Sequence, residues 1–287
     1  GTVVSFLFFL FTAALSAADM DNNNNVPQVF KDCSDCPELV VIEPGEFYLT
    51  SPPLWQGRPF GLGPMRKVIV KNSYAIGKFE ITVGEWQHCV DANGCQMARG
   101  AETKDSRLPI ANISWDDALK YTKWLSDKTN QIYRLPSEAE WEFAARAGAG
   151  RSRFFDLPEE EICNYANIYD ISAHQELEYE WRNINCNDKY VRESPVGSFK
   201  ANKFGLHDVL GNVWEWAEDC KSSIGTRHMR NTSGPVLKGD CSLRAFRGSS
   251  WLSHPPKYIR PSDRYKFSGS KSVDLGFRVV REMNPSQ

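Results

Sequence analysis

Eight cysteines fall in four close pairs, Cys33/Cys36, Cys89/Cys95, Cys163/Cys186 and Cys220/Cys241, and this spacing constrains the chain more than any other feature. Sulfurs so placed serve as bridges, metal ligands or catalytic thiols, and each role demands its own compartment and fold. The N-terminal sequence points to export. Val3 to Leu15 is an uncharged apolar run closed by Ser16-Ala17-Ala18, the layout of a secretory signal with a small-residue cleavage site. Residues 1–18 are expected to be a signal peptide, 19–37 a polar linker and 38–283 one domain. The apolar run is short for a bilayer span, which needs ~20 residues, so the mature chain is expected to have no membrane span. A secreted or periplasmic location permits disulfides, and structural nearest-neighbour bridges are the expectation for all eight cysteines. Cys33-Ser34-Asp35-Cys36 also reads as a redox CxxC or half of a zinc site. A thioredoxin-type motif opens a helix, whereas Pro37 and the β-rich Leu39-Val40-Val41-Ile42 follow here. Zinc needs partners at ligand spacing, and the five histidines are scattered singly.

The chain is long enough to bury a large core. Its 41% hydrophobic and 24% charged residues are ordinary for a globular protein, and the net charge of −2 offers no basic surplus for nucleic acid. Leu39–Ile42, Pro44-Gly45 and Glu46–Leu49 read as strand, turn, strand. Three helices are signalled by a hydroxyl residue followed three positions later by an acid, Thr82…Glu85, Ser114…Asp117 and Ser137…Glu140. The second carries Trp115, Ala118, Tyr121, Thr122 and Leu125 on one helical face. Residues 150–240 are loop-rich, and Leu275 to Val280 reads as a closing strand. The fold class is α+β with a large irregular share, which disulfides or bound cations would fasten. Charge is uneven: residues 156–193 hold ten acids against three bases, and residues 244–281 hold nine bases against two acids. Complementary solvated faces, or a basic cleft for an anionic ligand, would both account for it.

A family resemblance rests on motifs that come in order: Pro44-Gly45-Glu46-Phe47, Gly77-Lys78-Phe79-Glu80-Ile81-Thr82, Ile113-Ser114-Trp115-Asp116-Asp117-Ala118, the stretch Arg134-Leu135-Pro136-Ser137-Glu138-Ala139-Glu140-Trp141-Glu142, the stretch from Gly205 to Trp216, Arg247-Gly248-Ser249-Ser250-Trp251, and Gly276-Phe277-Arg278. Together they resemble the formylglycine-generating enzyme (sulfatase-modifying factor) superfamily, which also includes the pyoverdine-maturation oxidase and the ergothioneine-pathway sulfoxide synthases. The resemblance implies a single domain related to C-type lectin folds. It also implies two calcium positions. One would use Asn167, the Ile168 carbonyl, Asp188 and the Tyr190 carbonyl; the other Asp208, the Gly211 and Val213 carbonyls, and Glu215. Hard Ca²⁺ suits such oxygen donors; otherwise, Asp208 and Glu215 cap turns.

The family's active site uses two copper-binding cysteines shortly after the Gly-Gly-Ser segment. Here Ser253 takes the first cysteine's position, and no cysteine follows Cys241. Soft Cu(I) selects thiolates, so a divergent branch without copper-dependent formylglycine formation is expected. The remaining pocket would be lined by Trp251, Ser253, His254, Arg260, Asp263, Arg264 and Tyr265. There His254 would act as a general base or a metal ligand with Asp263, or lie on a surface loop. Arg260 and Arg264 would recognise carboxylate or phosphate, or brace the loop through Asp263. The sequence therefore implies an exported, monomeric, oxidase-like envelope enzyme acting on a small-molecule or peptide substrate, with structural Ca²⁺ and any redox metal left open. The alternative is a non-catalytic binding or assembly module on a lectin-like scaffold.

Overall fold

The computed structural model describes Gly1 and residues 27–50, 65–102, 104–148, 158–221, 231–232, 235–254 and 265–283. The apolar run of the expected signal peptide, and Arg260, Asp263 and Arg264, lie outside these described residues. Among the described residues no helix is long and apolar enough to cross a membrane.

Leu39–Ile42 is apolar at every position, as a strand covered on both faces should be, and it forms β2 of a five-stranded sheet. The order is β1 (Val29–Phe30), β2, β5 (Tyr74–Gly77), β12 (Val280–Glu282) and β6 (Tyr133–Arg134), with every pairing antiparallel. The strand after Pro44 does not fold back on β2. Instead β3 (Gly45–Thr50) pairs along its whole length with β4 (Met65–Val70), which runs parallel to β8 (Asn231–Thr232) in a second sheet. Proline has no N–H for a ladder and stiffens the turn, so the two predicted strands exist but belong to different sheets. The third sheet orders β10 (Tyr265–Phe267), β9 (Asp240–Arg247), β7 (Trp214–Lys221) and β11 (Leu275–Gly276).

The single closing strand expected over 275–280 is likewise divided. Leu275-Gly276 lies parallel to β7 and Val280 enters the first sheet, while Phe277-Arg278-Val279 cross between them fully buried. Gly276 is required there, because a Cβ would stand 2.2 Å from the Ile110 carbonyl oxygen.

The three helices begin where their capping boxes predict. α1 (Val83–Asp91), α2 (Trp115–Thr129) and α3 (Glu138–Arg146) each receive both reciprocal bonds, from Thr82/Glu85, Ser114/Asp117 and Ser137/Glu140. Each box satisfies orphan N–H groups of the first turn, and losing such a cap costs about 1 kcal/mol. α2 buries the five residues read from its periodicity. With α1 it packs the first and third sheets around Trp86, Tyr121 and Phe277, whose rings lie 5.5–6.2 Å apart. α3 is different, since all nine of its residues are buried. Its charges find partners inside: Arg134 grips Glu140 at 2.7 and 2.8 Å, Arg247 binds Glu138, and Arg146 binds Glu142. In the loop-rich stretch lie a 3₁₀ turn (Glu159–Asn164) and α4 (Ile171–Leu177), capped by Asp170.

All four bridges join nearest neighbours in sequence: Cys33–Cys36, Cys89–Cys95, Cys163–Cys186 and Cys220–Cys241. No free cysteine remains. The Cys89–Cys95 bridge fastens the end of α1. Cys95 is buried with Cys89 in the core shared by α1 and α2, and its N–H donates to the Cys89 carbonyl at 3.3 Å. Gly94 makes room for the bridge, since a Cβ there would stand 2.7 Å from the Trp124 ring and 3.0 Å from the Cys89 sulfur. Cys89 and Cys95 are therefore core fastenings and no part of a reactive or metal-binding site. The folded region starts earlier than residue 38, which corrects the expected linker. β1 pairs with β2, Cys36 is buried, and Asp32 takes bonds from Tyr133 (2.6 Å) and Arg281 (3.3 Å). A polar composition alone concealed this edge strand.

Candidate functional site

Ser253 ends a tight turn after β9. Its hydroxyl accepts from the Ser250 N–H at 3.0 Å, its own N–H donates to the Ser250 carbonyl at 2.8 Å, and its carbonyl accepts from Tyr169 N–H at 3.1 Å. The side chain is thus buried and engaged in the turn. His254 follows, half-buried, with its ring stacked on Trp181 at 4.8 Å and 20°. Tyr179 lies 4.6 Å from Trp181, and the buried Tyr169 ring underlies both Tyr179 and Trp181 at 6.1 and 5.5 Å. The Tyr169 hydroxyl is tied to His174 Nδ1 at 3.1 Å and donates to the Tyr179 carbonyl at 3.2 Å. Tyr179 and Trp181 remain 39% and 40% exposed. Stacking therefore holds two large rings at the surface beside His254, a preorganised arrangement suited to recognition because little side-chain freedom is left to lose.

The other predicted pocket residues are only partly brought together. Trp251 is buried, its Nε1 has no partner among the described residues, and Arg192 sits 5.5 Å over its ring. The Tyr265 hydroxyl donates to Glu138 at 3.4 Å, at the start of α3. The basic surplus of 244–281 does not form an anion cleft among the described residues. Arg278 pairs with Glu215, Arg247 with Glu138, and Arg281 with Asp32 and Gln131, while Arg244 binds the Glu218 carbonyl and lies 3.8 Å over Trp115. These bases neutralise internal acids.

The two predicted oxygen-donor sites lie back to back. At the first, Asp188 Oδ2 accepts from Ile168 N–H at 2.9 Å and Oδ1 from Tyr190 N–H at 2.8 Å. Burial, reinforced by the charge of Asp170, pushes the Asp188 carboxyl up to about 7. Cys163, Asp170 and Asp188 bring donor atoms within 4.8 Å of one another. The Cys163 sulfur is bridged to Cys186 and supplies no thiolate, so oxygen donors carry this site. Asn167 Oδ1 is buried without a partner among the described residues, while its Nδ2 donates to the Arg192 carbonyl at 2.7 Å.

At the second site, Asp208, Glu215 and a third acid, Glu80, are all buried. Arg278 holds Glu215 at 2.6 and 2.7 Å, and Trp141 Nε1 donates to the same carboxylate at 2.6 Å. Asp208 Oδ2 accepts from Gly197 N–H at 2.7 Å, but Oδ1 has no partner among the described residues. Burial pushes Asp208 up to about 6 and Glu80 well above the ordinary carboxylate range, each also feeling the Glu215 charge. Three acids thus share one guanidinium, and burial favours the neutral form in two of them. The left-handed backbone at Asp208, Gly211 and Asn212 makes the turn, and a Cβ on Gly211 would stand 1.9 Å from the Asn167 carbonyl oxygen. An unsatisfied buried acceptor at each site and an all-oxygen donor set fit a hard divalent cation. Sequence reading missed Glu80, Asn212, Arg278, Tyr169 and Trp181 as parts of these sites; the Lys78-Phe79-Glu80 and Gly276-Phe277-Arg278 motifs were the available signal for two of them.

Comparison with known proteins agrees with this architecture. The model of the sulfatase-modifying factor enzyme 1-like domain matches residues 25–283. A formylglycine-generating enzyme from Streptomyces coelicolor is 31% identical over 192 residues, covering 64% of this chain and 56% of that protein. The chain thus spans about half the length of such enzymes. The chaperone protein LppX of Paenibacillus barcinonensis is 26% identical over 314 residues, covering 96% of this chain and 97% of its own. The structure of PvdO from Pseudomonas aeruginosa superposes with a TM-score of 0.73 at 32% identity, over 90% of this chain and 99% of PvdO. By the family match over nearly its whole length, the chain belongs to the sulfatase-modifying factor enzyme 1-like family.

Proposed function

We propose that this protein is an exported, calcium-supported recognition and assembly module of the family, which engages its partner at the surface of Tyr179, Trp181 and His254 and makes no formylglycine. One observation carries the reading: all eight cysteines are in bridges, and the residue at the copper-thiolate position is a serine already bonded within its turn. A hydroxyl so placed supplies no ligand for soft Cu(I). The likeness to a chaperone over both full lengths supports an assembly role, and four disulfides suit a secreted or periplasmic location. In this reading Ca²⁺ sits at Asn167, Ile168, Asp188 and Tyr190, and at Asp208, Gly211, Val213 and Glu215. It neutralises buried acids and orders irregular backbone; it has no part in a reaction.

A second reading, an oxidase-like enzyme on a small or peptidic substrate, is favoured by the likeness to PvdO over 99% of its length. In it His254 serves as the proton acceptor. Two measurements separate the readings. The purified protein, incubated with Cu(I) and a cysteine peptide, should yield no aldehyde detectable by a hydroxylamine probe. A photo-crosslinker placed at Trp181 in the exporting cell should trap one exported polypeptide, and the trap should disappear with Tyr179→Ala. Aldehyde formation, or oxygen consumption on any trapped small molecule, would overturn the recognition reading.

A further inference from the structure

The geometry points to Asn212 as a positioning residue that couples the two cation positions to each other and to the Ser253–His254 surface. The inference rests on the calcium reading above and goes beyond it, since Asn212 belongs to neither predicted ligand set.

Asn212 is fully buried and adopts a left-handed conformation (φ 54°) between Gly211 and Val213. Its side-chain amide reaches toward both positions. Nδ2 donates to Glu80 Oε2 at 2.6 Å and to the Ser194 carbonyl at 3.3 Å. Oδ1 accepts from the Ser194 N–H at 3.0 Å and from Asn167 Nδ2 at 3.4 Å. Glu80 Oε1 meanwhile accepts from Val213 N–H at 3.0 Å. Glu80 therefore grips both sides of the 212–213 peptide in the second position, and the same amide contacts Asn167 in the first.

The contact with Asn167 has a directional consequence. With Nδ2 of Asn167 committed to Asn212 and to the Arg192 carbonyl, its Oδ1 is left as the free, buried acceptor. The amide is thus oriented with its oxygen available to a cation. Backbone bonds run the same way: Asn212 N–H donates to the Asn167 carbonyl at 2.8 Å, and Gly211 forms a bridge with Asn167.

Asn212 also reaches the surface. Its carbonyl accepts from Trp251 N–H at 2.9 Å, and Gly211 N–H donates to the Ser249 hydroxyl at 3.0 Å. From the first position, Tyr169 lies two residues after Asn167 and donates its N–H to the Ser253 carbonyl. Two routes of fixed bonds therefore enter the 249–253 turn, one from each cation position. A cation that orders one position orders groups the other also needs, so the second ion finds less freedom left to remove; such coupling is reciprocal.

The test uses the full chain stripped with EGTA and titrated with Ca²⁺ alone by calorimetry. Wild-type protein should bind two ions with positive cooperativity. Asn167→Ala, which damages only the first position, should weaken calcium at the second by about five-fold or more, and Asp208→Ala should do the converse. Asn212→Gly keeps the left-handed backbone that glycine tolerates and should yield two independent ions. In fluorotryptophan-labelled protein the Trp181 resonance, assigned with Trp181→Phe, should move on calcium addition in wild type and not in Asn212→Gly. Two ions binding independently in wild type, with each single variant leaving the other position within two-fold, would overturn the coupling while the calcium reading stands. Zero ions bound would overturn both. The cross-effects of Asn167→Ala and Asp208→Ala test the proposal even where Asn212→Gly fails to fold.

Discussion

The turn at 205–216 and the turn at 249–254 lie side by side, and they carry opposite designs. The first is filled with charge: Glu80, Asp208, Glu215 and Arg278 are all buried, and the Asn212 amide spans between them and Asn167. The second carries the hydroxyls of Ser249, Ser250 and Ser253 around the buried Trp251, and ends at His254 beside an exposed aromatic pair. The comparison teaches that a turn closed by its own hydroxyls is locally self-sufficient, while a turn filled with buried charge is not. The Ser253 hydroxyl is satisfied within its own turn, whereas the neighbouring charges each depend on partners from other elements.

The largest expected effect tests that dependence. Arg278→Met should lower unfolding free energy by about 3–5 kcal/mol, because it strands the buried Glu215 carboxylate; chemical denaturation would measure it. A loss under 1 kcal/mol would mean that the charged turn is no more constrained than the serine turn. Next, Cys163→Ser with Cys186→Ser should cost about 3 kcal/mol by freeing a loop of this size, and should weaken calcium at Asn167 and Asp188 more than at Asp208. Equal weakening at both positions would show that the loop anchors the whole pair of sites. Ser253→Ala removes one turn bond and should cost about 1 kcal/mol in thermal denaturation.

The smallest effect concerns β7 beyond the charged turn. Burial lifts Glu218 from 4.5 to about 7, and its Oε2 has no partner among the described residues. An acid whose folded pKa is raised contributes full stability below its unfolded value and loses it as pH rises through the folded one. Stability should therefore fall as pH rises from about 4.5 to about 7.5, and Glu218→Gln should flatten that slope. An unchanged slope in the variant would assign the pH dependence to the acids of the 205–216 turn instead.

Legibility in the sequence varied with the range of the interaction. The capping boxes at Thr82, Ser114 and Ser137 are contained within four residues, and each helix starts where its box predicts. The bridges were legible for the same reason, since each pair is close in the chain; Cys89 and Cys95, six residues apart, close a single turn after α1. α3 was legible as a helix but not as a buried one. Three glutamates suggest a solvated face, and Arg134 and Arg247, brought in from other elements, join Arg146 of the helix itself to make burial tolerable. The charge blocks misled similarly: Arg247, Arg278 and Arg281 face acids from α3, β7 and the N-terminal segment, at Glu138, Glu215 and Asp32. The aromatic surface was invisible because Tyr169, Tyr179, Trp181 and His254 meet only across separate loops.

The sequence by itself determined the α+β class, the helix starts and, through its ordered motifs, the family; the nearest-neighbour cysteine pairs were one connectivity among many until the fold selected them. It also placed no cysteine after Cys241. The tertiary structure alone decided which strands pair, why Phe277-Arg278-Val279 must cross the interior, and which acids share one guanidinium. The reason is physical. Capping and bridging act over a few residues, while burial of charge is set by partners that only the closed fold brings within hydrogen-bond reach.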